Sequence, residues 1–175
     1  MAIQFVVETG AGLTNSTSYV SEADADQIIE NYGMSWPDSY TSDQKQQALN
    51  SGTRYLDDKY HDQWKGTRTN EDQALDWPRY NVVDRDGFYI DDDVIPSKLE
   101  IATVVCATYW AENDQLFPDL DDAGTLKKEK IKIDVIEIEN EFLGGNSGSE
   151  TATQIESLLT DYIEGTGLNV EVRRG

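Results

Sequence analysis

"PSKLEIATVVCATYWAEND", residues 96–114, is the stretch that decides the fold. Pro96 suits the first position of a helix, because its φ is already helical and its missing amide would have no partner within the helix. From Ile101 to Trp110 the predicted helix is apolar almost all round. A helix without a polar face must be enclosed by other elements. The sequence therefore predicts a central buried helix around which the rest of the chain packs.

Two shorter patterns predict helices before this central one. Ser21 can cap the first of them, and Gly33 ends it. Thr41 and Gln44 have the spacing of a capping box at the start of the second. Gly52, in the middle of this second helix, costs about 1 kcal/mol relative to alanine and so indicates a close crossing with another helix. The predicted buried stripe of the second helix is Ala48, Leu49, Gly52, Tyr55, Leu56 and Tyr60.

The acidic stretch DRDGFYIDDD, residues 84–93, allows two interpretations. One is a β-hairpin at 80–93, in which Gly87 takes the left-handed conformation between two β-type arms. The other is a cation site, although the first ligand position then falls on a valine and the flanks are strand-like. The pattern favours the hairpin. In a calcium-binding alignment the ligands would be Asp84, Asp86 and Asp93.

The last third of the chain has a different pattern. Residues 125–143 alternate charged and β-branched side chains, which predicts a β-arm whose charges guard it against uncontrolled pairing. The composition of 144–150 predicts a flexible linker, and 151–175 a short amphipathic helix with a tail. The predicted assembly interface comprises Ile131, Ile133, Val135, Ile136, Ile138, Leu158, Leu159, Tyr162, Val170, Val172, Arg173 and Arg174.

These elements together predict a mainly α fold. It is a small helical bundle with an inserted β-hairpin, an extended C-terminal β-arm and a short C-terminal helix. The bundle is expected at 21–118, after an extended N-terminal segment at 1–20. The length of 175 residues is typical of one domain.

The charge balance is strongly acidic. Asp and Glu number 34 against 14 Lys and Arg, which gives a formal net charge of −20. Such a balance argues against non-specific adhesion to nucleic acid, because it opposes attraction to phosphate. With 38% hydrophobic residues the chain is nevertheless expected to fold. Its beginning has neither a basic region nor a long apolar stretch, so we expect no signal peptide and no membrane association.

Catalytic patterns are weak in this sequence. His61 is expected at the surface end of a helix, and Cys106 lies in the most apolar helix, where a thiolate is disfavoured. The single cysteine excludes an internal disulfide. The GAG sequence near residue 10 precedes no convincing helix, so it does not predict a phosphate loop. We expect no enzymatic activity, no cofactor and no metal.

Aromatic and basic residues alternate between residues 64 and 85. The pattern resembles a platform on which single-stranded bases stack, and it motivates a single-stranded-DNA-binding hypothesis. Interspersed acidic residues oppose phosphate binding, so we expect core aromatics and structural ion pairs instead. The residues concerned are Trp64, Lys65, Arg68, Trp77, Arg79, Tyr80 and Arg85.

The order of several motifs resembles a family of bacteriophage head-to-tail connector proteins, often labelled DnaT-like single-stranded-DNA-binding protein. The motifs are ETGAGLTNSTSYVSEADAD, ALNSGTRYLDDKY, WKGTRTNEDQALDWPR and DRDGFYIDDDVIP, with a weaker match at GLNVEVRRG. The likeness spans roughly residues 5–115. The matching scaffold positions are Trp77, Pro78, Arg79, Asp84, Asp86, Gly87, Ile95 and Pro96.

The resemblance implies a structural virion protein. It would form a homo-oligomeric ring, a dodecamer, between the portal protein and the tail or nozzle proteins. Double-stranded DNA would pass through the ring without specific binding, since an acidic lumen repels phosphate. The protein would be assembled in the bacterial host cytoplasm and located in the virion neck. This head-to-tail adaptor is the leading functional prediction, and the single-stranded-DNA-binding module is the alternative.

Overall fold

The computed structural model describes residues 4–113 and 147–164. These residues are mainly helical, as predicted, and they include one small antiparallel sheet. In chain order the elements are α1 Glu22–Tyr32, α2 Ser42–Tyr60, β1 Thr67–Arg68, β2 Arg79–Tyr80, α3 Ser97–Asn113 and α4 Ser147–Leu159.

Helix α3 is the centre of the core. It packs against α1, α2 and α4. Leu99 and all residues from Ala102 to Thr108 are buried, so the predicted enclosure of this helix is confirmed. The helix begins at Ser97, and the carbonyl of Pro96 accepts a hydrogen bond from the Leu99 amide at 2.8 Å.

The local start and stop signals of α1 and α2 are also confirmed. The Ser21 side chain accepts a hydrogen bond from the amide of Asp24 at 3.1 Å, and Gly33 ends α1 with a φ of 66°. At the start of α2, Thr41 and Gln44 exchange both hydrogen bonds of a capping box. These contacts satisfy amides that a helix end would otherwise leave without partners.

Gly52 lies at a close crossing of α2 with α3. A Cβ atom at this position would lie 2.7 Å from the Thr103 carbonyl oxygen and 3.0 Å from the Ala107 amide nitrogen. The predicted crossing is confirmed. The predicted buried stripe of α2 is also correct except for Tyr55, which is only partly buried and packs against the core.

The C-terminal helix corrects the predicted organisation of the chain's end. Helix α4 begins at Ser147, inside the stretch 144–150 that was predicted to be a flexible linker. Its residues Ile155 and Leu159 are buried in the main hydrophobic core. The helix is therefore a fixed part of this domain, because the all-round apolar α3 needs cover on a face that α1 and α2 leave open.

Three predicted interface residues accordingly lie within the fold of this chain. Leu159 and Tyr162 are buried in the core, and Leu158 is half-buried against it. The predicted β-arm at 125–143 lies outside the described residues. The same holds for the predicted interface residues Ile131, Ile133, Val135, Ile136, Ile138, Val170, Val172, Arg173 and Arg174.

The N-terminal segment is not extended along its whole length. The backbones of Val7 and Ser18 pair in a parallel bridge, so the chain folds back on itself between them. Tyr19 and Val20 then enter the core. This return places the glycine-containing loop of residues 8–16 against the body of the protein.

Candidate nucleic-acid interface

The hairpin predicted around Gly87 is present in the structure. Val83 pairs with Tyr89 in an antiparallel bridge, and the Ile90 amide donates to the Val82 carbonyl at 3.0 Å. Gly87 has a φ of 89°, which side chains other than glycine rarely tolerate. The paired arms are short, but they hold the turn between them in a defined conformation.

Asp84 closes this turn with its side chain. Its Oδ1 atom accepts hydrogen bonds at 2.9 Å from the amides of Asp86 and Phe88. This geometry accounts for Asp84 as a turn residue. Across 4–113 and 147–164, no group of three or more His, Cys, Asp or Glu side chains is arranged to hold a metal ion. The geometry therefore favours the hairpin interpretation over the cation site.

Phe88 and Tyr89, which we call the hairpin aromatics, carry their rings in solvent. Their exposed fractions are 70% and 74%, the largest among the big hydrophobic side chains that the structure describes. Tyr80 on β2 is 40% exposed. Rings held on a defined backbone with open faces are what stacking of unpaired bases requires.

The two tryptophans of the aromatic and basic pattern are core residues, as expected. Trp77 is fully buried, and its ring contacts that of Trp64 edge to face at 5.9 Å between centroids. Tyr162 contacts Trp77 in the same manner at 5.5 Å. These rings are therefore not available to DNA bases. The sequence signal for the hairpin aromatics was their place beside a predicted turn, where little chain is left to cover them.

Arg79 also has a structural role. Its guanidinium donates hydrogen bonds to the carbonyls of Lys65 at 2.8 Å, Gly66 at 3.0 Å and Asp76 at 3.1 Å. Burial lowers the pKa of this guanidinium from its ordinary value. Since these donors are used internally, Arg79 ties β2 to the residues just before β1 and is not placed to receive a phosphate.

Three other cations meet at Asp161, two at its carboxylate and one at its backbone carbonyl, and we call this group the Asp161 cluster. Lys98 Nζ lies 2.5 Å from Asp161 Oδ2, and Arg85 Nε lies 3.3 Å from Oδ1. Lys65 Nζ donates to the Asp161 backbone carbonyl at 2.8 Å. The hydrogen bond from Lys98 is the main reason that the pKa of Asp161 is lowered. The cluster connects the hairpin, α3 and the segment that follows α4.

The remaining scaffold positions of the predicted motif lie around the hairpin. Pro78 is buried after a cis peptide bond to Trp77, and Asp86 is exposed in the turn. Ile95 is half-buried against the core, and Pro96 is buried just before α3. These residues connect the sheet and the hairpin to the central helix.

The two side chains considered as catalytic candidates, Cys106 and His61, lie in different parts of the fold and are held by other contacts. Cys106 is enclosed in α3, and burial raises the pKa of its thiol. His61 lies at the end of α2, as predicted, with its Nδ1 atom 2.9 Å from Asp76 Oδ2. That hydrogen bond raises the pKa of His61. Neither environment activates a nucleophile.

The loop that contains the GAG sequence binds a carboxylate of its own chain. Glu8 accepts hydrogen bonds from the amides of Gly10 at 3.1 Å, Gly12 at 2.9 Å and Leu13 at 2.8 Å. The Ser16 hydroxyl donates to the same carboxylate at 2.9 Å. The amide donors that could cradle a phosphate are thus already used within the fold.

Comparison with protein families adds an independent finding. A family model matches residues 3–175, and the family is described as "Putative DnaT-like ssDNA binding protein". The chain belongs to this family. No curated protein and no solved structure matches the chain.

Membership of the DnaT-like family overturns the leading functional prediction. The family description names single-stranded DNA binding, and nothing in the comparisons supports a phage head-to-tail adaptor family. The predicted virion ring, its portal and tail partners and the passage of DNA without specific binding are therefore wrong. The predicted location stays a prediction. The alternative, a single-stranded-DNA-binding module, is the prediction that agrees with the family.

The adaptor prediction rested on the order of the motifs, and the acidic net charge was counted against DNA binding. Net charge measures attraction to phosphate, whereas stacking on aromatic rings needs open ring faces and little charge. In the part of this DnaT-like chain that the structure describes, no helix is long and apolar enough to cross a membrane.

Proposed function

We propose that this protein binds single-stranded DNA by stacking unpaired bases on Phe88 and Tyr89. The exposure of these two rings on a hairpin of defined geometry is the observation that carries the proposal. Membership of the DnaT-like family supports it. The proposal contains no catalytic step, in keeping with the expectation that the protein is not an enzyme.

Stacking can supply useful affinity without help from phosphate contacts. Base–aromatic stacking contributes about 1–3 kcal/mol for each base, and it tolerates any sequence because every base has a flat face. Two adjacent rings would therefore account for several kcal/mol of binding. The expected binding is sequence-tolerant.

The charge around the hairpin favours single strands over duplexes. Residues 84–93 contain five aspartates and one arginine. A duplex keeps its bases stacked inside and presents phosphates at high density, which such a surface repels. A single strand can offer its bases to the rings while most of its phosphates stay away from the aspartates. We therefore expect binding with a weak salt dependence and a preference for unpaired DNA.

The first experiment measures fluorescence anisotropy of a labelled oligothymidylate titrated with protein. Replacing both hairpin aromatics with alanine is expected to weaken binding about 30-fold or more, since two stacking contacts are lost. Both side chains are exposed, so the variant should keep its unfolding temperature.

Tyr32→Ala is the matched control. Tyr32 is an exposed aromatic residue, 52% accessible, on α1 rather than on the hairpin. Its removal should leave the affinity unchanged. Equal affinity of the wild-type protein and the Phe88→Ala/Tyr89→Ala variant would contradict the proposal, as would an absence of binding by the wild type at low salt.

A further inference from the structure

The ion pair between Arg85 and Asp161 is loose on the arginine side. Arg85 belongs to the hairpin turn, and its side chain is 68% exposed. Its Nε atom lies 3.3 Å from Asp161 Oδ1, farther than the 2.5 Å between Lys98 Nζ and Asp161 Oδ2. Because the Arg85 side chain is mostly in solvent, water can replace Asp161 as its partner at low cost, whereas the buried Asp161 carboxylate is compensated by Lys98.

The position of Arg85 relates it to the hairpin aromatics. It lies in the same turn, three residues before Phe88. A base that stacks on Phe88 or Tyr89 brings the phosphates of its strand towards this turn. A guanidinium suits a phosphate, since its donors match the geometry of two phosphate oxygens.

We propose that Arg85 exchanges partners when DNA binds, pairing with Asp161 in the free protein and with a DNA phosphate in the complex. The inference rests on the proposed function, and it makes Asp161 an internal competitor of DNA. The segment that follows α4 thereby lowers the affinity of the hairpin for single strands.

The exchange leaves no buried charge without a partner. Asp161 keeps Lys98 at 2.5 Å after Arg85 has moved away, and its backbone carbonyl keeps Lys65. A buried carboxylate that lost its last cation would incur a large desolvation penalty. The remaining contacts of the Asp161 cluster remove that penalty. The exchange therefore breaks the ion pair between Arg85 and Asp161 and forms one between Arg85 and a DNA phosphate.

The first test removes the competitor. Asp161→Asn keeps the shape of the side chain and is expected to tighten binding of the labelled oligothymidylate about two- to fivefold, the size expected for release of an ion pair whose cation is mostly in solvent. Glu164→Gln is the control, because it removes one negative charge from an exposed residue of the same segment. The control should bind like the wild type, and a gain equal to that of Asp161→Asn would overturn the inference.

The second test does not depend on the folding of the Asp161 variant. Arg85→Gln is expected to make the slope of log K against log salt concentration less steep by about 0.7, the contribution of one phosphate contact to a single strand. An unchanged slope would show that Arg85 makes no phosphate contact, and the inference would fall.

A double variant completes the design. Asp161→Asn should give no gain in the presence of Arg85→Gln, because the gain acts through Arg85. If the gain in affinity persists in the double variant, it comes from the loss of a negative charge near the DNA and not from the release of Arg85, and the inference is overturned. If the wild type binds DNA and these variants show no change, the inference alone fails. If the wild type does not bind DNA, the proposed function fails with it.

Discussion

At the scale of single residues, Gly52 shows how closely two helices approach. Both atoms that an added Cβ would overlap, the Thr103 oxygen and the Ala107 nitrogen, belong to the backbone of α3. Neither can rotate away, so Gly52→Ala must push α2 and α3 apart. We expect a loss of about 1–3 kcal/mol in the free energy of unfolding, despite the better helix propensity of alanine.

Urea denaturation measures this loss. Arg54→Ala on the same helix is the control, because its side chain is 80% exposed and its removal should change stability by less than about 0.5 kcal/mol. A Gly52→Ala variant as stable as this control would show that the helices can separate freely.

The titration of Glu100 makes the stability of the folded protein depend on pH. Burial, with a smaller contribution from Asp24, raises the pKa of this carboxyl to about 7. Above that pH its charge is disfavoured in the folded protein, so Glu100→Gln should stabilise at pH 8 and have little effect at pH 5. The side chain is half-exposed and solvent screens it, so we expect a gain of about 2–4 °C in the unfolding temperature. Thermal scans at both pH values measure it, and equal effects at the two would contradict the assignment.

At the scale of elements, the hairpin depends on the Asp84 side chain. Asp84→Ala removes two hydrogen bonds to the turn and should weaken oligothymidylate binding about fivefold, because the rings are then held less firmly. Asp84→Asn removes the same charge but keeps an acceptor oxygen. It should therefore bind more tightly than Asp84→Ala in the anisotropy titration. Equal affinities of the two variants would show that the hydrogen bonds of Asp84 to the turn do not contribute to DNA binding.

Helix α4 contributes to the core rather than to an arm. Leu159 is fully buried among residues of the main hydrophobic core, so Leu159→Ala is expected to cost about 2–5 kcal/mol. Glu156→Ala, on the exposed face of the same helix, should cost less than about 0.5 kcal/mol. Chemical denaturation compares them. If Leu159→Ala proved as stable as the wild type, α4 would have to be detached in solution.

At the scale of the whole molecule, several groups give the same pH dependence. Burial raises the pKa of Asp57 to about 7, as it does for Glu100, and the contact with Asp76 raises the pKa of His61. The folded protein then binds more protons than the unfolded chain between about pH 4 and pH 7, so its stability falls as the pH rises. The lowered pKa of Asp161 acts in the opposite sense only at lower pH.

The net charge of −20 adds self-repulsion at neutral pH. We therefore expect maximum stability near pH 5 and a lower unfolding temperature at pH 8, which calorimetry across this range would measure. Stability that increased from pH 5 to pH 8 would contradict the assigned pKa shifts.

Short-range features of the fold could be predicted because they depend on residues close in sequence. The caps at Ser21 and Thr41 and the turn at Gly87 each involve contacts within about four residues. The central position of α3 followed from its all-round apolar surface, and the close crossing followed from Gly52. The burial of Trp64 and Trp77 was expected from the acidic residues around them, whereas the exposure of the hairpin aromatics did not follow from residue type, since all four are large aromatic residues.

The sequence by itself therefore determined where α1 begins and ends, where α2 begins, which helix is central and where the hairpin turns. Only the tertiary structure decided that α4 covers the core, which aromatic rings remain in solvent and which cations meet at Asp161. Asp161 lies 63 residues from Lys98 and 96 from Lys65. Contacts over such separations depend on how the helices pack, because burial and ion pairing are properties of the folded surface and not of local sequence.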